Sequence, residues 1–164
     1  MENIDVLKLE DNIFDLFKNK WGALTVKCDD KVNALTVSWI QAGQLWNKDV
    51  VTVYVRPQRY SYEFINESEN LSLAFFDGYK DELNYLGSVS GKDEDKLKNT
   101  NLDVEYYEDT PYIKQANTVF ILKKLYTHDL YAENFTSQEL PNKIYAKNDF
   151  HRVYICEIVN IIKK

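Results

Sequence analysis

A short apolar run that leads directly into an arginine-rich turn is the feature that most limits how this chain can fold. Val50–Val55 consists of β-branched residues and one tyrosine, the composition typical of a strand. Arg56–Ser61 follows, and the next residues, 62–65, have the apolar spacing of a helix. The segment therefore predicts a strand, a turn and a helix over 61–69, with Ser61 as the helix N-cap.

The rest of the chain is predicted to contain mostly strands, with short helices between them. Apolar alternation predicts strands over 21–27, 32–39, 71–76, 104–107, 118–126 and 152–162, and short helices over 11–20, 80–86 and 93–99. The range 131–149 is polar, contains Pro141 and is predicted to be irregular. Because helices do not alternate strictly with strands, a mainly β fold is favoured, a closed or partly closed antiparallel barrel with short helices.

The turn after the first strand predicts an anion site. Arg56 and Arg59 carry forked donors that match phosphate oxygens. The N-terminus of the following helix adds free backbone N–H groups. The segment therefore predicts a site for one phosphate or another small anion, although an ordinary helix cap with two solvated arginines would explain the same residues.

Length, charge and cysteine content limit the class of protein. A chain of 164 residues is predicted to be one domain, spanning 1–164. A formal charge of −6 argues against general nucleic-acid binding. Cys28 and Cys156 form no CxxC, and with only two histidines they do not predict a metal site; two reduced thiols are expected. We expect a cytoplasmic protein without membrane contact, because the sequence has neither a signal peptide nor an apolar run of ~20 residues.

Two further segments carry candidate binding residues. Thr36 and Ser38 point the same way on the strand predicted over 32–39, so their hydroxyls can bind the polar edge of a ligand. Trp39 can pack against the ring of the same ligand. A sheet face exposed to solvent would give the same pattern. Ser90, Gly91 and Lys92 form a small-residue loop that could contact a phosphate, but the loop lacks the spacing of a triphosphate-binding P-loop.

His151 stands at the start of the last predicted strand. A histidine beside a pocket can donate a proton or a hydrogen bond near neutral pH. A surface histidine at a strand end is the alternative, since no partner is visible in the sequence.

Together these segments resemble the flavin reductase-like family, which has the Greek-key FMN-binding split-barrel fold. The resemblance covers the chain from about residue 21 to 162 and is carried by NALTVSW at 33–39, GQLWNKDVVTVYVRPQRYSYEFI at 43–65, SGKDEDK at 90–96 and FHRVYICEI at 150–158. It implies a homodimer that binds FMN non-covalently. One departure is Cys156, where many relatives carry glycine.

The resemblance also implies which residues contact each part of FMN. The strand along the flavin ring corresponds to Asn33, Thr36, Ser38 and Trp39. The phosphate turn corresponds to Arg56, Arg59, Tyr60 and Ser61. The loop that closes over the cofactor corresponds to Ser90, Gly91 and Lys92. His151 matches the family histidine near the redox face and is the candidate catalytic residue.

The function implied is that of a flavin reductase, which passes a hydride from NADH or NADPH to the flavin. One alternative is a flavoredoxin-like electron carrier whose FMN is reduced by a partner protein. The other is a small β-barrel that binds a ligand without redox chemistry.

Overall fold

The computed structural model describes residues 1–164 and consists mainly of antiparallel strands. The strands are β1 (Glu2–Ile4), β2 (Gly22–Cys28), β3 (Lys31–Val37), β4 (Ile40–Leu45), β5 (Lys48–Val55), β6 (Asn70–Phe75), β7 (Val104–Tyr107), β8 (Thr110–Ile113), β9 (Thr118–Asp129) and β10 (Arg152–Lys163). The helices are α1 (Ile13–Asp15, continued by the π-helical turn Leu16–Lys20), α2 (Ser61–Glu67), α3 (Lys80–Ser88) and α4 (Glu139–Ile144), with single 3-10 turns at Val6–Lys8 and Ala132–Asn134.

Eight of the strands form one antiparallel sheet that curls on itself. Its order is β3-β2-β6-β9-β10-β5-β4, with β1 added beside β10, and β7 pairs only with β8. The edge strands β3 and β4 are not hydrogen-bonded to each other, yet only Ser38 and Trp39 separate them in the chain. A link of that length spans about 10 Å. The two edges therefore lie close together, and the barrel is split beside Ser38 and Trp39.

Side chains on alternate positions of the strands fill two separate cores. The barrel interior holds large residues such as Leu24, Leu73 and Phe120, all of them buried. The outer face of the same strands carries smaller residues such as Ala23 and Ala74, against which α3 and the β7–β8 hairpin pack. Because both faces are covered, successive residues of β2 and β6 are buried instead of alternating between buried and exposed positions.

The two cysteines are unpaired. Cys156 is fully buried in the barrel interior, and burial raises the pKa of its thiol to about 12. The thiol therefore packs in the interior as a small apolar group. Cys28 donates a hydrogen bond to Glu67 Oε2 at 2.8 Å.

The mainly β barrel is confirmed, but several local predictions were wrong. Residues 93–99 form successive turns instead of a helix, and the range 131–149 contains α4, with Pro141 in the first helical turn, where a missing N–H costs no hydrogen bond. Strands β1, β4 and β8 were not predicted; β4 is an exposed edge strand without a clear apolar face. The first helix begins after Asn12, whose side chain accepts hydrogen bonds from two backbone N–H groups.

Ser61 is not the N-cap of α2. Tyr60 precedes it with helical backbone angles, so Ser61 already lies in the first turn of the helix. Its hydroxyl instead accepts a hydrogen bond from Asn33 Nδ2 at 2.7 Å. Among the helices, none combines the length and the apolar composition required to cross a membrane.

Candidate functional site

The split in the barrel opens into a cavity of about 460 Å³. Its walls come from the end of β3, the link to β4, the end of β5, the helix α3 and the start of β10. The lining residues are Trp21, Leu35, Thr36, Val37, Ser38, Trp39, Tyr54, Val55, Arg56, Arg59, Leu83, Asn84, Gly87, Ser88 and His151. We name it the ring cavity. The structure thus brings together six of the residues proposed from sequence: Thr36, Ser38, Trp39, Arg56, Arg59 and His151.

Trp39 and His151 form one wall of the ring cavity. Their ring centroids are 4.6 Å apart, and the Tyr145 hydroxyl lies 2.8 Å from His151 Nδ1. His151 is only 7% exposed. Burial, and secondarily the charge of Arg56, lowers the pKa of the imidazole to about 4. The side chain is therefore neutral and fixed in orientation at physiological pH.

Thr36 connects the barrel to α3. Its hydroxyl donates a hydrogen bond to the carbonyl of Leu83, so its oxygen is left as an acceptor toward the cavity. Ser38 lies one residue beyond the end of β3, in the link that closes the split. The two hydroxyls therefore belong to different local structures although both line the ring cavity.

Arg56 is engaged by the segment that follows α4. Its guanidinium pairs with Asp149, donates to the Ile144 carbonyl at 3.2 Å and lies 5.4 Å from the centre of the Tyr145 ring. Gln58 also donates to Asp149, at 2.7 Å. The charge of Arg56 is thus neutralised within the chain. This differs from the expectation that both arginines meet one phosphate.

A smaller cavity of about 90 Å³ continues from the ring cavity and is lined by Leu35, Gln58, Arg59, Tyr60, Ser61, Ser88, Val89, Ser90, Gly91 and Lys96. We name it the cationic cavity. Leu35, Arg59 and Ser88 line both cavities, so the two adjoin. None of its lining residues is acidic.

The two cations of this cavity lack acidic partners. Arg59 donates to the Gly87 carbonyl at 2.5 Å, and Lys96 Nζ donates to the Leu86 carbonyl at 2.9 Å, near the C-terminus of α3. Lys96 is only 4% exposed. Burial, and then the charge of Arg59, lowers the pKa of Lys96 to about 8. Burial also lowers the pKa of Arg59. One buried and one half-buried charge without a counter-ion favour a bound anion.

Gly91 closes the cationic cavity against Asn33 and Tyr60. A Cβ at this position would lie 2.7 Å from Asn33 Oδ1 and 3.0 Å from Tyr60 Cδ1. Only glycine allows this close approach without displacing a neighbour. Lys92 does not line the cationic cavity; it lines a separate cavity of about 600 Å³ that carries many charged residues. Of the loop residues proposed from sequence, Ser90 and Gly91 therefore reach the cationic cavity and Lys92 does not.

Lys96 is the candidate binding residue that was not identified from the sequence. It belongs to the SGKDEDK segment, but a helix over 93–99 would have placed it among solvated charges. The sequence feature that could have identified Lys96 is its position a few residues after a loop of small residues. Its burial became visible only with the fold, because the covering residues come from α3 and from the turn after β5.

Comparison with known proteins gives the chain a context. Residues 17–163 match the family model described as the flavin reductase like domain. No curated protein matches the sequence significantly.

Several solved structures share the fold. An FMN-binding protein from Thermus thermophilus is 18% identical, with a TM-score of 0.70 over 100% of this chain and 82% of that one. Flavoredoxin from Methanosarcina acetivorans is 21% identical, with a TM-score of 0.68 over 98% and 76%. The NADH:FAD oxidoreductase of Streptomyces globisporus is 11% identical, with a TM-score of 0.68 over 93% and 79%.

Proposed function

The chain belongs to the flavin reductase-like domain family, and from that premise we propose that it binds FMN and uses it to move electrons, as an NAD(P)H-dependent flavin reductase. The observation that carries the proposal is the pair of adjoining cavities. One is large and has an aromatic wall; the other is small and contains two cations without an acidic partner. A flat ring system with a terminal phosphate matches this arrangement.

The residues present fit FMN in size and charge. The ring cavity, at about 460 Å³, lies within the range of roughly 300–1,000 Å³ that is usual for small-molecule sites. A phosphate monoester carries about −1.5 to −2 charges at neutral pH. Arg59 and Lys96 supply the matching positive charges. The Ser90 hydroxyl at the cavity wall accepts a hydrogen bond from the Lys92 N–H and keeps its own proton as a further donor.

When bound, FMN would supply the hydride-accepting chemistry, and the chain would supply binding and orientation. Trp39 would pack against the flavin ring, and the Thr36 hydroxyl oxygen would accept a hydrogen bond from the polar edge of that ring. In the tautomer that accepts from Tyr145 at Nδ1, His151 carries its proton on Nε2 and would act as a neutral hydrogen-bond donor. With a pKa near 4, His151 is not a proton donor at neutral pH. We therefore propose the hydrogen-bonding role for His151 rather than the proton-donating one.

The test of this function is oxidation of NADH or NADPH with free FMN as acceptor. A flavin reductase should oxidise at least one of the two nicotinamides in a protein-dependent manner. Protein that binds FMN but oxidises neither nicotinamide would favour the flavoredoxin-like carrier. Protein that binds no flavin at all would favour the ligand-binding barrel without redox chemistry.

FMN affinity is expected to fall as the pH rises above about 8. The phosphate binds best when Lys96 is protonated, and the pKa of this amine is about 8 in the free protein. Between that pH and the second phosphate pKa of about 6, both the amine and the phosphate dianion are charged, so the affinity should be nearly constant. Above it, binding requires uptake of a proton, and the affinity should fall by up to about tenfold per pH unit.

Fluorescence titrations with FMN at a series of pH values measure this effect. Lys96→Met should bind FMN more weakly and lose the pH dependence. Lys98→Met, at an exposed lysine that pairs with Asp95, is the matched control and should keep the wild-type profile. If the FMN affinity of Lys96→Met fell with pH in the same way as that of the wild type, the decline would be due to a group other than Lys96.

We also propose that the protein is a homodimer. An apolar groove of about 1080 Å³ runs between the N-terminal segment and β4, and it shares Trp21, Ser38 and Trp39 with the ring cavity. Leu7 and Phe14 line the groove with most of their surface exposed. An exposed apolar groove of this kind is a candidate protein–protein interface. A second copy, related by twofold symmetry, would cover it and shield the ring cavity from water.

Phe14→Glu should convert the dimer into a monomer. Phe14 is 84% exposed in the single chain, so the change should not disturb the fold of the subunit. Light scattering at micromolar concentration measures the mass of both proteins. Tyr131→Glu, at an exposed aromatic outside the groove, is the control and should remain dimeric. A wild-type monomer that binds FMN would contradict the proposal.

A further inference from the structure

Tyr145 does not line the ring cavity, but its hydroxyl lies 2.8 Å from Nδ1 of His151, which does. From this contact we propose that Tyr145 is a positioning residue, which holds the imidazole in the tautomer that presents an Nε2–H donor to the ring cavity. The proposal rests on the proposed function, because it concerns the proton and the orientation of a side chain in the same site.

The chemistry of the two groups makes Tyr145 the donor in this hydrogen bond. Burial raises the pKa of Tyr145 and lowers the pKa of His151, so at neutral pH the phenol keeps its proton and the imidazole is uncharged. A phenolic O–H, with an ordinary pKa of about 10, is a stronger acid than the N–H of a neutral imidazole. The bare imidazole nitrogen is in turn a stronger base than a phenolic oxygen. The arrangement O–H···Nδ1 is therefore favoured, and it leaves the imidazole proton on Nε2.

The second ring nitrogen of His151 is available to a ligand. Nδ1 is hydrogen-bonded to Tyr145, whereas Nε2 has no hydrogen-bond partner within the chain. The Thr25 hydroxyl is the one fully buried side-chain polar atom that lacks a partner, so Nε2 is not sealed inside the protein. Since His151 lines the ring cavity, its Nε2–H can donate to an acceptor placed there.

Tyr145 is itself held in place by its neighbours. It is only 6% exposed, and its ring packs on Phe150 with ring centroids 4.5 Å apart. The Arg56 guanidinium lies 5.4 Å from the centre of the Tyr145 ring and donates to the carbonyl of the preceding residue, Ile144, at 3.2 Å. The hydroxyl is therefore fixed relative to His151, and Arg56 contributes to its position instead of meeting the phosphate.

Nitrogen-15 NMR of the full chain without added flavin tests the tautomer directly. The chain has only two histidines, so His128→Ala assigns their signals. At neutral pH the imidazole of wild-type His151 should carry its proton on Nε2 alone. Tyr145→Phe keeps the packed ring and loses only the hydroxyl, so both tautomers should become populated. Tyr126→Phe, at an exposed ring on β9, is the matched control and should leave the tautomer unchanged.

Stopped-flow reduction of bound FMN by NADH or NADPH tests whether the tautomer matters to the reaction. Tyr145→Phe should slow the reduction by about three- to tenfold, the loss expected for one neutral hydrogen bond, while FMN affinity stays the same. In a His151→Ala background the same change should cause no further loss, because Tyr145 acts through His151. Effects that multiply in the double variant would show that Tyr145 acts independently, and the positioning role would be wrong.

The two experiments separate this inference from the proposed function. A wild-type His151 with its proton on Nδ1 would overturn the positioning role, whether or not FMN is reduced. The same single tautomer in Tyr145→Phe as in the wild type would also overturn it. The expected tautomers without reduction of FMN by either nicotinamide would support the hold of Tyr145 on His151 and overturn the reductase function alone.

Discussion

Arg59→Ala is expected to weaken FMN binding by about 10- to 100-fold while leaving riboflavin binding nearly unchanged. Arg59 lines the cationic cavity and has no acidic partner, so its guanidinium is free to bind a phosphate. A hydrogen bond to a charged group contributes about 1.5–3 kcal/mol, and each ~1.4 kcal/mol changes affinity tenfold. Riboflavin lacks the phosphate and should not sense the change. Fluorescence titration with each flavin measures both affinities.

Arg56→Ala is the informative comparison, because sequence alone treats the two arginines alike. Arg56 is paired with Asp149 and does not line the cationic cavity. Its loss should therefore lower the melting temperature by freeing the segment after α4, with a smaller effect on FMN affinity than Arg59→Ala. If Arg56→Ala weakened FMN selectively and Arg59→Ala did not, the assignment of the phosphate to the cationic cavity would be wrong.

His151→Ala is expected to slow reduction of bound FMN by roughly 10- to 100-fold, with little change in FMN affinity. The neutral imidazole is fixed by Tyr145 and Trp39 beside the ring cavity, where it can orient a nicotinamide or stabilise the reduced ring by a hydrogen bond. One such hydrogen bond lost from the transition state, at about 1.5–3 kcal/mol, accounts for the expected effect. Stopped-flow reduction with NADH or NADPH measures the rate.

The pH profile distinguishes a hydrogen-bonding role from proton donation. Because the pKa of His151 is lowered to about 4, the wild-type rate should show no inflection near the usual histidine value of about 6.5. His128→Ala, at the other histidine of the chain, should leave the rate unchanged. A wild-type inflection near 6.5 that disappears in His151→Ala would show that the imidazole titrates during turnover, contrary to its burial in the structure.

The elements of strong local pattern could be predicted from sequence, and so could six of the fifteen residues that line the ring cavity. The strands β2, β3, β5, β6, β9 and β10 are rich in apolar residues. Thr36, Trp39 and His151 could be proposed together because the family resemblance aligns their segments. The elements that were not predicted have weak sequence patterns. β4 is an exposed edge strand, and the proline in the first turn of α4 is typical of an irregular segment.

The roles of individual charges could not be predicted, since they depend on partners distant in the chain. Arg56 is paired with Asp149, which lies 93 positions away. Lys96 is buried because the loop after α3 folds back on that helix, and a helical prediction for 93–99 would have left it in solvent. The sequence thus predicted a phosphate site with Arg56 and Arg59, whereas in the fold Arg56 pairs with Asp149 and Lys96 lies beside Arg59.

The measurement that tests the central claim most directly is a fluorescence titration of the wild-type protein with FMN and with riboflavin under the same conditions. The proposed site binds the phosphate through Arg59 and Lys96, so FMN should bind at least about tenfold more tightly than riboflavin. Equal affinities for the two flavins, or no binding of FMN, would contradict the account.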